Sequence, residues 1–213
     1  MNYTTTEWNN KKVILGEPEL DPEQPARLVI GFHGAESTPE NMLVHATRAT
    51  FNNALQVIPE APIDAGKGLW SWWMDGPKQK ETVGEFLQFT EATLAFALEW
   101  AAGRASSIEV CLWGFSQGGA AALVYSLLGN QTVHRSASIC GFLPEMPESD
   151  ANGKNPGNIL GIYGLNDDVV PSFLAEYALD EIRNQGHAVR ILETQQGHEV
   201  TPENLREIAL FFG

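Results

Sequence analysis

The chain has 213 residues, of which 43% are hydrophobic and only 19% charged, a composition typical of a folded protein rather than a disordered one. Thirteen basic against 27 acidic residues give a formal net charge of −14, which repels phosphate backbones and disfavours nucleic acid as a partner. No apolar run approaches about 18 residues, so the sequence predicts no transmembrane helix. The first segment, MNYTTTEWNN, lacks the basic start and apolar core of a signal peptide, and we expect a cytoplasmic protein.

Strand-like and helix-like segments alternate along the chain. An early edge strand is predicted at 11–15, and Thr38 and Pro39 mark a helix start as N-cap and first helical residue. Further strands are predicted at 27–32, 54–59, 108–113, 135–142, 158–164 and 187–194, and further helices at 82–102, 117–128, 171–185 and 201–212. The alternation predicts an α/β fold in one domain, residues 1–213, with a mostly parallel sheet flanked by helices.

Cysteine usage is sparse. Cys111 and Cys140 both lie in apolar segments that are predicted as strands, and neither belongs to a C-x-x-C pair. Both are therefore predicted to be buried free thiols.

The segment WGFSQGG, residues 113–119, joins a predicted strand to a predicted helix. Gly114, Ser116 and Gly118 fit the pattern G-x-S-x-G, which in this context is typical of a nucleophile elbow. Such a turn strains the serine backbone and exposes its hydroxyl, and side chains two residues before or after it would collide. We therefore predict that Ser116 is a nucleophile; the alternative is a Gly-Ser turn without chemistry.

A nucleophilic serine requires a base and a carboxylate that orients it, and on this kind of fold the chain order is serine, acid, histidine. His134 and His187 begin predicted strands, which is the wrong edge of a parallel sheet for an active site. His198 follows the last predicted strand, so it is the predicted base. The acid should follow the preceding strand, where Asp167 and Asp168 are adjacent and geometry alone does not choose between them.

An oxyanion hole is predicted from two backbone N–H groups. One belongs to Gln117, directly after the serine, and the other to Ala35, in a segment that follows the first long strand. In the same segment, His33 is interpreted as a packing and hydrogen-bonding residue that shapes the loop. No H-x-H or H-E-x-x-H pattern occurs, so neither a metal nor another cofactor is expected.

Taken together, these motifs resemble the phospholipase/carboxylesterase family of α/β-hydrolases, which includes the acyl-protein thioesterases and small bacterial carboxylesterases. The matching segments run in the family's order from around residue 27 to the end of the chain: FHGAE, IPEAP, SWWMD, GFSQGG, SICGFLP, YGLNDDVVP and QGHEV. The resemblance implies the α/β-hydrolase fold and a triad of Ser116, His198 and Asp167. Asp167 is selected over its neighbour by its spacing from Gly164 and Pro171.

Two departures from the family pattern concern the predicted pocket. The family usually shows H-G-x-G, whereas Glu36 stands here in place of the second glycine and alters the loop beside the backbone donors. S-W-F-D is extended to SWWMD, and Trp72 and Trp73 are predicted either to form an apolar wall for the substrate or to pack in the core. The segment from Phe142 to Asn158 is too short for a cap domain, so an open site is expected.

The motifs and the resemblance predict a cofactor-free serine carboxylesterase that cleaves esters of small to medium acyl chains through an acyl-enzyme. An acyl thioesterase and a lysophospholipase are narrower alternatives, since the same triad serves all three activities. A non-catalytic binding protein with the hydrolase fold is the alternative from another class. The expected partner is a small-molecule ester, with no nucleic acid and no stable membrane insertion, and the chain is either a monomer or a homodimer.

Overall fold

The structure is a computed structural model that describes residues 1–148 and 157–213. Its strands are β1 (Asn2–Trp8), β2 (Lys11–Glu17), β3 (Ala26–Phe32), β4 (Ala54–Pro59), β5 (Ile63–Gly66), β6 (Leu69–Ser71), β7 (Ile108–Phe115), β8 (Arg135–Ile139), β9 (Asn158–Gly164) and β10 (Ala188–Thr194). Its helices are α1 (Pro39–Ala46), α2 (Gln79–Ala101), α3 (Gln117–Leu128), α4 (Ser172–Asn184) and α5 (Pro202–Phe212).

Eight of these strands form one sheet in the order β1-β2-β4-β3-β7-β8-β9-β10. The pairs β1–β2 and β2–β4 are antiparallel, and every pair from β4 to β10 is parallel. Parallel strands require crossover connections, and α1, α2, α3 and α4 lie in four of them, whereas α5 follows the last strand; together the helices cover the sheet on both faces. This is the mostly parallel, helix-flanked sheet that the alternating pattern predicts, so the predicted fold class is confirmed.

The apolar core lies on both faces of the sheet. Residues of α2 and α3 pack against one face, where Leu28, Ile30 and Phe32 of β3 are buried. Residues of α1 and α5 pack against the other face, on which Val29 of β3 is buried. Helix α4 lies on the same face as α2 and α3 and packs beside α3. Strand side chains alternate between the two faces, and helices cover both of them. The central strands are therefore apolar throughout.

The N-terminal edge of the sheet differs from the prediction. Residues 11–15 were expected to form an edge strand, but β2 pairs with β1 on one side and with β4 on the other. The edge is β1, whose sequence NYTTTEW is almost entirely exposed. Threonine has a high strand propensity and an edge strand can be polar on its outer side, so a search for buried apolar runs misses it.

Other predicted elements are confirmed with shifted ends. Strand β8, which is predicted to run from 135 to 142, ends at Ile139, because Cys140 has a left-handed backbone with φ 51°. The long loop after β4 contains the small hairpin of β5 and β6. The segment from Phe142 to Asn158, which is predicted to be too short for a cap, includes residues 149–156, which lie outside the described residues.

Among the residues that the structure describes, no helix combines the length and the apolar character needed to cross a lipid bilayer.

Candidate active site

The predicted site residues meet at the carboxyl-terminal edge of the parallel strands. Ser116 directly follows β7, the loop with Asp167 follows β9, and the loop with His198 follows β10. Pairing in the parallel sheet aligns these ends, because Phe115 lies opposite Ile139 and Ile139 lies opposite Ile162. The topology therefore places three side chains that are distant in sequence next to one another.

The tight turn at Ser116 depends on the two flanking glycines. Ser116 has φ 56° and ψ −124°, a conformation that non-glycine residues rarely adopt. A Cβ atom at Gly114 would lie 2.3 Å from the backbone of Gly118, and one at Gly118 would lie 2.1 Å from the carbonyl oxygen of Phe32. The predicted steric reason for both glycines is therefore confirmed, and the strained turn lifts the serine side chain into a surface cleft.

A continuous chain of hydrogen bonds joins the three predicted triad residues. The Ser116 hydroxyl donates to Nε2 of His198 across 2.9 Å, and Nδ1 of His198 donates to Oδ2 of Asp167 across 2.8 Å. The ring of Phe115 packs against the imidazole with a centroid separation of 4.7 Å. This arrangement fixes the tautomer in which Nε2 is free to accept the serine proton.

Asp167 and Asp168 occupy opposite environments. The Asp167 side chain is only 1% exposed, and its Oδ1 accepts the N–H groups of Val169 and Val170 across 2.9 and 2.8 Å. Burial alone raises the pKa of Asp167, but the hydrogen bonds from His198 and the two backbone groups, together with the nearby Cys140 thiol, outweigh burial and lower it. Asp168 is exposed, so the structure brings Asp167 and not its neighbour to the histidine.

His33 shapes the loop beside the serine, as predicted. Its Nδ1 donates to the Gly34 carbonyl across 2.7 Å, and its Nε2 accepts the N–H of Ala61 across 3.2 Å. Burial lowers the pKa of His33 to about 4, so the ring is neutral at physiological pH. The carbonyl of His33 also accepts the indole N–H of Trp72 across 2.7 Å.

The two predicted oxyanion donors border the same region. Ala35 lines the cleft with Ser116, and Gln117 is the first residue of α3. Within residues 1–148 and 157–213, neither backbone N–H has a protein acceptor. Glu36 follows with φ 49° and donates its N–H to the Ser71 hydroxyl, so it adopts the left-handed backbone for which the family's glycine is suited.

The cleft beside Ser116 has a volume of about 480 Å³ and is open to the surface. One part of its wall is apolar, formed by Met42, Phe115 and Val169. The remaining wall is polar and is formed by His33, Glu36, Ser37, Asn41, His45 and His198, together with the backbone of residues 34 and 35. The cleft can therefore take a small group with both apolar and polar parts.

The predicted substrate wall of Trp72 and Trp73 is wrong. Trp72 is 0% exposed and Trp73 is 1% exposed, and both pack around Phe86 in the core. The side chain of Gln117 holds their backbone, because it accepts the N–H of Trp72 and donates to the carbonyl of Trp73. Trp73 borders a second cavity of about 280 Å³, whose wall also includes Ala35 and Gln117, but neither tryptophan lines the cleft at Ser116.

Sequence patterns missed a group of polar residues behind the triad. Cys140 and Cys111 are buried and unpaired, as predicted, but Cys140 lies just beyond β8 at the site's edge of the sheet. Gln196 donates to Cys140 Sγ across 3.7 Å and accepts from Asn204 across 2.9 Å. The predicted strand at 135–142 places Cys140 inside the strand, so no sequence signal put the thiol beside the triad.

One group of potential metal ligands occurs in the described part of the chain. Cys140, Asp167 and His198 each offer one atom, and these atoms lie within 4.8 Å of one another. The carboxylate and the imidazole already bond to each other, and burial together with the charge of Asp167 raises the pKa of Cys140 to about 12. That bond already joins Nδ1 of His198 to the carboxylate, so the three side chains are arranged for hydrogen bonding to one another.

His134 and His187 lie away from the cleft. The Nδ1 atom of His134 accepts the N–H of Val110 at the start of β7, across 3.1 Å. His187 accepts the N–H of Gly157 in the same manner at the start of β9, also across 3.1 Å. Both histidines thus bond near the amino-terminal end of a strand, whereas Ser116 lies at the carboxyl-terminal ends of the parallel strands.

Solved structures share this architecture over nearly the whole chain. SOBER1 from Arabidopsis thaliana aligns with a TM-score of 0.72 at 20% identity, over 88% of this chain and 97% of that chain. The carboxylesterase from Mesorhizobium loti aligns with a TM-score of 0.76 at 16% identity, over 99% and 98% of the two chains. The Bacillus cereus carboxylesterase aligns with a TM-score of 0.70 at 14% identity, over 96% and 94%. At these identities the likeness shows the fold, that of the α/β-hydrolases.

The family model described as phospholipase/carboxylesterase matches residues 18–212. The chain therefore belongs to the phospholipase/carboxylesterase family, and the resemblance drawn from its motifs is confirmed. Membership supports a hydrolase activity of the α/β-hydrolase type on a small-molecule substrate.

Proposed function

We propose that the protein is a serine carboxylesterase in which Ser116 is the nucleophile, His198 the general base and Asp167 the residue that orients the histidine. The observation that supports this most strongly is the hydrogen-bonded chain from the Ser116 hydroxyl through both nitrogens of His198 to the Asp167 carboxylate. A serine hydroxyl is a weak nucleophile unless an adjacent base removes its proton during attack.

In the proposed reaction each of these groups has one role. Ser116 Oγ attacks the ester carbonyl carbon while Nε2 of His198 takes the hydroxyl proton. The buried Asp167 carboxylate stabilises the imidazolium, and His198 then returns the proton to the leaving alcohol. A water molecule attacks the acyl-enzyme by the same route and releases the carboxylic acid and free Ser116.

The negative oxygen of the tetrahedral intermediate requires donors that are already in place. We assign this role to the backbone N–H groups of Ala35 and Gln117, which have no competing acceptor among the described residues. The positive end of the α3 dipole adds to the stabilisation at Gln117. Because the donors are backbone groups, the left-handed Glu36 alters the shape of the loop without removing a donor.

The cleft supports esters of small to medium acyl chains as substrates. Its volume of about 480 Å³ and its partly apolar wall suit a short acyl group. A net charge of −14 and the Glu36 carboxylate at the cleft favour neutral or cationic substrates over anionic ones.

The proposal is tested with p-nitrophenyl esters and matching acyl thioesters of graded chain length, measured for the wild type and for Ser116→Ala. We expect the highest kcat/KM with short and medium esters, and only residual turnover in the variant. Thioester turnover that exceeds ester turnover at every length would identify a thioesterase instead. Equal activity of the wild type and Ser116→Ala would contradict the proposed mechanism.

A further inference from the structure

A buried thiol lies directly behind the proposed triad. Cys140 is 1% exposed, and its Sγ lies within 4.8 Å of the ligand atoms of both Asp167 and His198. Its backbone is held in place by the bond from its N–H to the Ile162 carbonyl across 2.8 Å. Cys140 also has a left-handed backbone, with φ 51°, and this conformation sets the direction in which its side chain leaves the main chain.

The thiol of Cys140 is protonated and has one S–H to donate. Burial is the main cause that raises its pKa to about 12, and the neighbouring Asp167 carboxylate adds to it. On its other side, Nε2 of Gln196 approaches Sγ across 3.7 Å as a donor. The sulfur therefore accepts from the amide and can donate to the carboxylate.

The geometry points to Cys140 as a positioning residue: its S–H donates to the Asp167 carboxylate and holds it in the rotamer in which Oδ2 faces His198. This inference rests on the triad proposed above. The carboxylate then has donors on every side, namely the two backbone N–H groups on Oδ1, the imidazole on Oδ2, and the thiol.

Gln196 connects this contact to the loop that carries the histidine. Its Nε2 also donates to the Glu199 carbonyl across 2.9 Å, and its Oε1 accepts from Asn204 across 2.9 Å. Asn204 is 0% exposed and forms a capping box with Thr201 at the start of α5. One amide side chain thus joins the thiol, the His198 loop and the end of a helix.

Loss of the S–H donor has a consequence that a packing role would not produce. The Asp167 side chain is 1% exposed, so water cannot replace the missing donor. More of the carboxylate charge then acts on the neighbouring imidazole and favours its protonated form. The acid limb of kcat/KM should therefore move to higher pH when the thiol is removed.

The test compares Cys140→Ala, Cys140→Ser and a control, Cys111→Ala. Cys111 is 0% exposed and unpaired, but it lies inside β7, away from the cleft. In Cys140→Ala we expect kcat/KM to fall about fivefold to tenfold, the loss typical of one ordinary hydrogen bond, because S–H is a weak donor, with the acid limb moved to higher pH. Cys140→Ser keeps a donor and should restore both quantities to near the wild type.

The control separates positioning from packing. Cys111→Ala should lower the free energy of unfolding, measured with urea, without moving the acid limb. The other titratable groups that line the cleft, His33, Glu36 and His45, are the same in every variant and cannot cause a difference between them. An acid limb in Cys140→Ala that overlays the wild type, or no rescue by serine, would overturn the inference.

Two further measurements keep the outcome interpretable. Infrared S–H stretches assigned with Cys111→Ser and Cys140→Ser should lie at lower frequency for Cys140, because its S–H bonds to a carboxylate. Equal frequencies would overturn the inference even if Cys140→Ala fails to fold. Fluorophosphonate labelling of wild-type Ser116 is measured alongside: absence of labelling refutes the triad itself, whereas normal labelling with an unmoved acid limb refutes only the role of Cys140.

Discussion

Asp167→Asn and Asp168→Asn form a matched pair in which the same charge is removed from adjacent residues, one buried and one exposed. In Asp167→Asn the new amide oxygen must accept the N–H groups of Val169 and Val170, as Oδ1 does now across 2.9 and 2.8 Å. The amide NH2 then faces Nδ1 of His198, where Oδ2 now accepts across 2.8 Å.

Two donors cannot bond to each other, so Nδ1 must become the acceptor and the ring proton moves to Nε2. That nitrogen lies 2.9 Å from the Ser116 hydroxyl and can no longer accept its proton. Loss of the orienting carboxylate in a serine triad costs about 10⁴-fold in kcat, or about 5.5 kcal/mol at about 1.36 kcal/mol per tenfold. Asp168→Asn removes only an exposed, screened charge, and we expect a change within about tenfold.

The assay measures kcat and KM with p-nitrophenyl acetate and butyrate for the wild type and both variants. Urea unfolding of the same samples checks that each variant is folded, since both backbone N–H bonds survive in Asp167→Asn. The reverse order of effects would show that the triad acid is wrong by one residue. Mild effects in both variants would show that the carboxylate comes from elsewhere in the chain.

Three further outcomes are expected. Burial lowers the pKa of His33 to about 4, below the value near 6.5 of an unfolded histidine, so the unfolded state binds the extra proton first. The free energy of unfolding should therefore fall by about 3 kcal/mol as the pH is lowered from about 6.5 to about 4. If urea unfolding gave the same free energy across this pH range, the result would argue against a buried neutral ring. Trp72→Ala should cost about 3–5 kcal/mol of stability and leave the acyl-chain-length profile unchanged; an altered profile at constant stability would restore the substrate-wall interpretation. Gly118→Ala should abolish fluorophosphonate labelling, because its Cβ would meet the Phe32 carbonyl at 2.1 Å, and wild-type labelling of a folded variant would contradict the elbow geometry.

Local patterns predicted much of the fold and the elbow because their causes are local. The apolar runs of the central strands and the cap at Thr38 are read directly from neighbouring residues. The glycines around Ser116 follow from sterics within a few residues of the turn. Chain order then limited the choice of histidine to one position after the last strand.

The remaining features depend on contacts between distant segments. Trp72 lies in the core and not in the wall of the cleft, because its indole bonds to the His33 carbonyl and its ring packs on Phe86. The contact between Cys140 and Gln196 joins residues 56 positions apart, so no short motif contains it. The polar edge strand β1 was missed because it carries no buried apolar run.

The proposal that Ser116 is the activated nucleophile is tested most directly by a fluorophosphonate probe followed by peptide mapping with mass spectrometry. Wild-type protein should carry one adduct, on Ser116, because among the serines of residues 1–148 and 157–213 this is the one that lies 2.9 Å from Nε2 of a histidine that is oriented by a buried carboxylate. Ser116→Ala should remain unlabelled while its urea unfolding stays close to that of the wild type. An adduct on another serine, or unlabelled wild-type protein that still hydrolyses esters, would contradict the mechanism.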